Sequence, residues 1–292
     1  MNILTFDIEE WYLEKYFFGN LPEKYKNYDH YLGEILDTLD KTNQKGTFFC
    51  VGGLGRDFPH VVKRIAERGH DVGCHSNIHT WLNKMTRQEC FDDTRNAVDL
   101  LEQCIGKKIK SYRAPAFSIG ASNKWAFEVL AECGIERDAS VFPAVRDFGG
   151  FAEFGQKVPS VIRYNGIELK EFPICTAKVL NKEIAYSGGG YFRFFPLWYV
   201  KNIMSKSEYS MMYFHIADLV TLINGVMSKE EYEEYFKEPG TFKNRYLRYI
   251  KTNLGMSGAF AKLQRLISTA SFMNLEEAND KIDWSKSPIV EF

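Results

Sequence analysis

The chain has 292 residues, of which 45% are hydrophobic and 26% are charged, and its formal net charge at pH 7 is −1. This composition is typical of a globular protein, and the nearly balanced charge argues against a nucleic-acid partner or an anionic membrane partner. The sequence opens on a strand pattern without a basic leader and contains no run of eighteen apolar residues. We therefore expect no membrane insertion and a cytoplasmic location.

The first half of the chain alternates between predicted strands and predicted helices. Thr86 followed by Glu89 is a capping-box pattern and marks a helix start, whereas the tyrosine- and lysine-rich stretch that ends near residue 29 indicates a surface excursion. Strands are expected at residues 3–6, 45–51, 72–74, 109–112 and 135–140, with helices at 31–42, 58–68, 86–105 and 123–133. This rhythm predicts a parallel sheet and, at this length, a closed or nearly closed barrel.

The second half is less regular. Residues 148–173 favour a strand hairpin, and Gly188, Gly189 and Gly190 form a turn that allows close approach of the backbone to a neighbour. A helix at 196–204 leads to a last strand at 210–214. The remainder reads as helices with charged faces, and no linker divides the chain. We therefore expect one catalytic domain over residues 1–292, with the barrel at about 1–220 and a helical C-terminal extension at about 221–292.

Polar residues capable of chemistry stand where predicted strands end. In parallel α/β barrels the rim formed by the C-terminal ends of the strands is where active sites are built. The residues concerned are Asp7, Glu9, His75, His79, Arg113, Asp138 and His215.

His75 and His79 are spaced four residues apart, which on one helical turn would point both imidazoles the same way. Two such histidines and one carboxylate make a three-ligand site of the zinc type, with a position left open. The acidic cluster at residues 7–10 is the obvious source of the third ligand and of a carboxylate that acts as a base.

Five motifs in this order resemble the polysaccharide deacetylases of the NodB-homology group, carbohydrate esterase family 4. They are Thr5-Phe6-Asp7, His75-Ser76-Asn77-Ile78-His79, Arg113-Ala114-Pro115, Asp138 in the segment Asp138-Ala139-Ser140-Val141-Phe142-Pro143, and His215 closing an apolar strand. The segments that follow Ser111 and Gly188 are similar to the branch found with bacterial surface-polysaccharide gene clusters. The resemblance spans about residues 1–220.

The resemblance implies a distorted (β/α)7 barrel that uses one divalent metal, zinc being the expected ion, to remove the N-acetyl group of an N-acetylhexosamine in a saccharide. Carried over by position, Asp7 is the general base and Arg113 orients it. His215 is the general acid, and His75 and His79 are metal ligands. Asp138 would tune this group as a charge partner of Arg113 or His215.

One departure from the family pattern concerns the third ligand. The family has two adjacent aspartates, but Ile8 occupies the second position here. The third ligand must then be Glu9 or Glu10. Side chains alternate along a strand, so Glu9 lies on the side of Asp7, which favours Glu9.

Two further departures concern the substrate. Ala116 stands where the family commonly has a tyrosine. A side-chain contact is lost there, but the backbone N–H of Ala116 can still donate to an oxyanion. After His215 the chain reads Ile216-Ala217-Asp218, where the related branch tends to have Pro-Trp-Glu. The local substrate contacts are therefore expected to differ.

Two other functions fit the same residues. One is a metal-dependent hydrolase of a different non-peptide C–N bond, such as a cyclic amide. The other is a non-catalytic carbohydrate-binding barrel. The Ile8 substitution favours it, and it is disfavoured by the intact Asp7, His75, His79, Arg113 and His215.

Overall fold

In the computed structural model, the described residues are 1–13, 21–144, 149–179, 182–220, 225–236 and 238–292. Within these ranges the strands are β1 (Asn2–Ile8), β2 (Thr47–Cys50), β3 (Asp71–Cys74), β4 (Ser111–Tyr112), β5 (Arg137–Asp138), β6 (Ser160–Tyr164), β7 (Ile167–Glu171), β8 (Ala177–Val179), β9 (Lys182–Ile184), β10 (Ser210–Phe214) and β11 (Ile289–Glu291). The helices are α1 (Glu10–Leu13), α2 (Leu21–Lys41), α3 (Gly52–Asp57), α4 (Pro59–Glu67), α5 (Arg87–Ile105), α6 (Trp125–Glu132), α7 (Gly189–Phe194), α8 (Leu197–Lys206), α9 (Lys229–Phe236), α10 (Phe242–Asn253), α11 (Ala259–Thr269) and α12 (Leu275–Lys281). None of these helices is long and apolar enough to cross a membrane.

The main sheet has nine strands in the order β10-β1-β2-β3-β4-β5-β7-β6-β11, and β8 pairs with β9 in a separate hairpin. Seven neighbouring strands, from β10 to β7, are parallel. β6 runs antiparallel to β7, which is the hairpin expected in the middle of the chain. The α/β class with a mostly parallel, barrel-type sheet is thus confirmed.

Both faces of the parallel sheet are covered, as parallel sheets require. Every residue of β2 is buried, and Phe6 of β1 stacks on Phe48 of β2 with ring centroids 4.9 Å apart. Phe214 of β10 packs against the same Phe6 ring at 6.0 Å. These aromatic contacts join three adjacent strands, so the carboxyl ends that follow them are held at fixed positions.

The helix α5 begins as its capping box predicts. Thr86 Oγ1 accepts the Glu89 N–H at 3.3 Å, and Glu89 Oε2 accepts the Thr86 N–H at 2.7 Å. Each side chain satisfies a backbone donor that the helix itself cannot pair.

Two expectations about secondary structure are wrong. The polar stretch before residue 29 is helical from Leu21, because Tyr28 is buried on the helix face that continues through Leu32 and Ile35. Its earlier part, residues 14–20, lies outside the described residues. The C-terminal segment is also not purely helical, since β11 pairs with β6 and extends the main sheet.

Candidate active site

The carboxylates at and just after the end of β1 point in different directions, because side chains alternate along a strand. Asp7 is buried, and Glu9 Oε2 lies 2.8 Å from His79 Nε2 and 3.2 Å from His75 Nε2. Glu10 begins α1 and turns away, where its Oε1 accepts the Ala217 N–H at 3.0 Å. The structure therefore brings Glu9, and not Glu10, to the histidine pair.

The two histidines lie on a loop after β3 and not on a helical turn, so that part of the sequence interpretation is wrong. Ser76 and His79 both have positive φ angles, 63° and 62°, which L-residues rarely adopt. The Asn77 N–H, between them, donates to Asp93 Oδ2 of α5 at 2.9 Å and fastens the loop. This bent backbone turns the His79 ring toward His75, with ring centroids 5.1 Å apart.

The hydrogen bonding of His75 tests whether this group suits a metal ion. His75 Nδ1 lies 2.7 Å from the Arg113 carbonyl oxygen, which can only accept, so Nδ1 carries the proton. In the neutral ring, Nε2 is then an acceptor, and it faces the Glu9 carboxylate. Glu9 Oε2 is itself buried without a well-formed hydrogen bond in the described part of the chain. Two acceptors in contact repel each other unless a proton or a metal cation lies between them. Glu9, His75 and His79 supply ligand atoms within 4.8 Å of one another, an arrangement that fits a metal cation.

Arg113 joins the base candidate to the core. It is fully buried at the end of β4, and its Nη1 donates to Asp7 Oδ1 at 2.8 Å and to Thr5 Oγ1 at 2.9 Å. Its Nε donates to the Ala139 carbonyl at 3.2 Å, and its guanidinium lies 4.3 Å from the centre of the Phe49 ring. A buried charge requires such partners, and here they fix one oxygen of Asp7 while Oδ2 faces His215 at 3.8 Å.

His215 follows β10, the neighbour of β1, and its Nε2 lies 3.5 Å from Glu9 Oε1. Its Nδ1 lies 2.9 Å from Asp218 Oδ2, which also accepts the His215 backbone N–H at 3.2 Å. Burial disfavours the charged ring, but the neighbouring carboxylates of Glu9, Asp218 and Asp7 hold the pKa of His215 well above its ordinary value. The site therefore keeps a protonated imidazole beside the carboxylates.

Asp218 is a functional candidate that sequence reasoning missed. It lies in the segment where the chain departs from the related branch, and only altered substrate contacts were expected there. The signal was present in the spacing, because a carboxylate three residues after a strand-end histidine can reach back to cap it.

The glycine turn makes room for this pair. A Cβ on Gly189 would lie 2.4 Å from Asp218 Oδ2, and one on Gly188 would lie 2.4 Å from the Tyr213 hydroxyl. The sequence predicted a close approach of the backbone here. The approach is to Tyr213, two residues before His215, and to Asp218, three residues after it.

Burial and neighbouring charges shift the pKa values of Glu9 and Glu10 in opposite directions. Burial opposes ionisation of Glu9, but the nearby His79 and His215 hold its pKa well below the ordinary value. Burial raises the pKa of Glu10 to about 7. The ionised carboxylate is thus the one that faces the histidine pair.

Comparison with known proteins identifies the first half of the chain. Residues 3–137 match the family described as polysaccharide deacetylase. This part of the chain is a polysaccharide deacetylase domain. Residues 139–280 match a second family, described as a domain of unknown function (DUF3473).

Two curated relatives match part of the chain. A peptidoglycan-N-acetylglucosamine deacetylase of Bacillus cereus is 32% identical over 106 residues, which are 36% of this chain and 39% of that protein. The peptidoglycan-N-acetylmuramic acid deacetylase PdaA of Bacillus subtilis is 32% identical over 113 residues, which are 35% of this chain and 43% of that protein. The matched region is thus about two fifths of the length of these relatives.

Solved structures show the same fold. A Mycobacterium smegmatis protein assigned as a polysaccharide deacetylase superposes with a TM-score of 0.66 at 15% identity, covering 100% of this chain and 92% of that one. A family 4 pseudoenzyme from Bacillus anthracis superposes with a TM-score of 0.51 at 12% identity, covering 100% of this chain and 69% of that one. At these identities the likeness concerns the fold alone.

Asp138 does not have the partner expected for it in this deacetylase fold. Its Oδ1 accepts the Ser140 hydroxyl at 2.5 Å, and its carboxylate contacts that of Glu171, with no ion pair to Arg113 or His215 among the described residues. Burial raises the pKa of both Asp138 and Glu171, and their mutual repulsion raises that of Glu171 further. The pair must share a proton, because two buried carboxylates in contact cannot both ionise.

Proposed function

We propose that this chain is a metal-dependent deacetylase that removes the N-acetyl group from an N-acetylhexosamine in a saccharide. The observation that carries the proposal is the convergence of Glu9, His75 and His79 beside a fixed carboxylate, Asp7, and the imidazole of His215. The match of residues 3–137 to the polysaccharide deacetylase family supports the reaction type.

Glu9, His75 and His79 would hold one divalent ion, with zinc expected because two imidazoles and a carboxylate suit it, although cobalt, iron and nickel accept the same donors. A bound ion would polarise the amide carbonyl and lower the pKa of water. The His75 tautomer is set for this role by the Arg113 carbonyl.

Asp7 is the proposed base that takes a proton from the attacking water. Arg113 occupies Oδ1 of Asp7, so Oδ2 is the oxygen left to accept the proton. Arg113 also prevents rotation of the Asp7 carboxylate. Ala116 has φ 54° in the turn after β4, and its backbone N–H is the proposed donor to the developing oxyanion.

His215 is the proposed acid that protonates the departing amine. Amines leave poorly unless protonated, and the raised pKa of His215 keeps the proton available. Asp218 holds Nδ1, so Nε2 is directed toward the carboxylates and the reacting group.

The Ile8 substitution fits the catalytic proposal. Ile8 is fully buried in the core, and Glu9 supplies the carboxylate that the family pattern would place at position 8. The departure therefore changes which residue supplies the ligand and leaves a carboxylate in the site.

Acetate release tests the proposal. Wild type should release acetate from triacetylchitotriose or an acidic N-acetylated oligosaccharide, lose activity with a chelator and recover it with Zn²⁺. Asp7→Asn should lower turnover by roughly 10²–10⁴, the usual contribution of general acid–base catalysis. Hydrolysis of a cyclic amide with no acetate from sugars would favour the alternative hydrolase. Sugar binding with no hydrolysis in any metal would favour the non-catalytic barrel.

A further inference from the structure

The cleft beside His215 has a positively charged wall. This cleft of about 400 Å³ is lined by Glu9, Glu10, His215 and Asp218 and also by three cationic residues, Arg193 of α7 with Arg248 and Lys251 of α10. A substrate that reaches His215 Nε2 therefore lies close to three cationic side chains.

The carboxylates of the cleft are engaged by other groups. Glu9 faces His75 and His79, Asp218 holds His215, and Glu10 accepts a backbone N–H. Within the described ranges, no carboxylate lies within 4.0 Å of the charged groups of Arg193 or Lys251. Arg193 and Lys251 thus have no close ion pair within those ranges, and the influence of Arg193 on Asp218 is limited to a longer-range attraction that helps to lower the pKa of that carboxylate.

Arg193 is held rigidly. Its Nη1 donates to the Thr252 carbonyl at 3.0 Å and its Nη2 to the Lys251 carbonyl at 3.4 Å, at the C-terminal end of α10. Its Nε is buried and has no acceptor in the described part of the chain. The backbone carbonyls therefore hold the guanidinium through its two Nη atoms, beside the cleft that Arg193 lines.

We propose that this wall, formed by Arg193, Arg248 and Lys251, is a subsite for an anionic group on the saccharide substrate, a carboxylate or a phosphate attached near the sugar that is deacetylated. This inference rests on the proposed function and names its substrate class. Guanidinium and ammonium groups bind carboxylate and phosphate oxygens through charge-assisted hydrogen bonds. A neutral sugar offers only hydroxyl and amide groups, which do not need three positive charges.

Three substrates distinguish whether the subsite binds a carboxylate or a phosphate. They are triacetylchitotriose, which is neutral, a trisaccharide of N-acetylglucosamine with one glucuronate, and UDP-N-acetylglucosamine. We expect kcat/KM for an anionic substrate to exceed that for the neutral one by roughly tenfold or more. Preference for the glucuronate trisaccharide assigns a carboxylate, and preference for the nucleotide sugar assigns a phosphate.

Lys251→Gln tests the wall itself, and Lys243→Gln is its control. Both remove one positive charge from α10, but Lys243 is exposed and does not line the cleft. Lys251→Gln should lower the ratio of anionic to neutral kcat/KM roughly tenfold, whereas Lys243→Gln should not alter that ratio. Dissociation constants of the three compounds, measured by calorimetry, should follow the same order.

The two proposals fail in different ways. Acetate release from all three substrates at similar kcat/KM, with a ratio that Lys251→Gln does not change, would overturn the anionic subsite and leave the deacetylase intact. Tighter binding of the anionic compounds, weakened by Lys251→Gln, without acetate release from any of them would retain the subsite and overturn the deacetylase.

Discussion

Asp218 illustrates how one residue acts through another. It touches His215 Nδ1 and does not reach the carboxylates of the proposed metal group, so it is a positioning residue. Its charge favours the imidazolium and its geometry fixes the ring. The contribution of Asp218 to turnover should therefore depend on the presence of His215.

A double-mutant cycle tests this dependence. Asp218→Asn should lower kcat roughly tenfold to hundredfold with KM within twofold, and His215→Asn should lower kcat by roughly 10²–10⁴. The double variant should be no slower than His215→Asn alone, because the two residues act as a unit. Additive losses would show that Asp218 has a separate role.

His70 is a buried residue whose effect is on stability. Its Nδ1 accepts the Gly46 N–H at 3.3 Å, which requires an unprotonated nitrogen. Burial, with Lys45 and Arg68 nearby and only partly offset by Asp40, lowers the pKa of His70 to about 4. A native pKa below the unfolded value of about 6.5 means that stability is present above that pH and is lost as pH falls toward 4.

Urea unfolding of wild type and His70→Asn checks this linkage, since the asparagine oxygen can still accept the Gly46 N–H. Between pH 7.5 and pH 5 the wild type should lose about 2 kcal/mol more unfolding free energy than the variant. Equal losses in the two proteins would contradict the assignment.

At the scale of elements, the start of α7 is fitted to the end of β10. Gly188 and Gly189 leave no room for a side chain against Tyr213 and Asp218. The glycines thus set the distance between the helix and the His215 turn. The same helix carries Arg193, so it contributes to both the acid group and the cationic wall.

Gly189→Ala should displace Asp218, because the added methyl would lie 2.4 Å from its Oδ2 and 2.6 Å from its Cβ. We expect kcat to fall roughly tenfold to hundredfold, since small displacements of catalytic groups have such effects. Gly190→Ala is a matched control, because no atom lies within 4 Å of its added methyl. Acetate-release kinetics of the two variants would decide, and equal activity would show that the contact at Gly189 does not position the acid.

At the scale of the whole molecule, the last residues complete the main sheet. β11 pairs with β6, and the Phe292 ring stacks at 5.4 Å on Phe151 and at 6.1 Å on Phe127. Residues 289–292 therefore anchor the edge of the sheet formed by β6 and β11, which is opposite the edge formed by β10 and β1.

Phe292→Ala should reduce the free energy of unfolding by about 2 kcal/mol, less than a fully buried phenylalanine because the ring is only partly enclosed. Phe242→Ala on α10 should change it by less than about 0.5 kcal/mol, since that side chain is 66% exposed. Chemical denaturation measures both, and equal losses would contradict the anchoring role of β11.

The sequence was most informative where local pattern and function coincide. The alternation of strand and helix patterns predicted the parallel sheet, and the Thr86 capping box predicted the start of α5, because both patterns depend on neighbours in the chain. The pairing of β11 with β6 joins residues 289 and 161, and no local pattern marks such a distant partner. The contact of Asp138 with Glu171 likewise depends on β5 lying beside β7. The loop that carries His75 and His79 escaped prediction because the four-residue spacing fits a helix equally well.

The metal content of purified protein tests the central proposal most directly. Wild type supplied with Zn²⁺ should retain about one equivalent of metal after desalting, and Glu9→Gln should retain little. Glu10→Gln should bind as wild type does, because the Glu10 side chain contacts the Ala217 backbone and not the histidine pair. Loss of metal in Glu9→Gln alone would establish the ligand group. A wild type that retains no metal, or equal binding in Glu9→Gln, would contradict it.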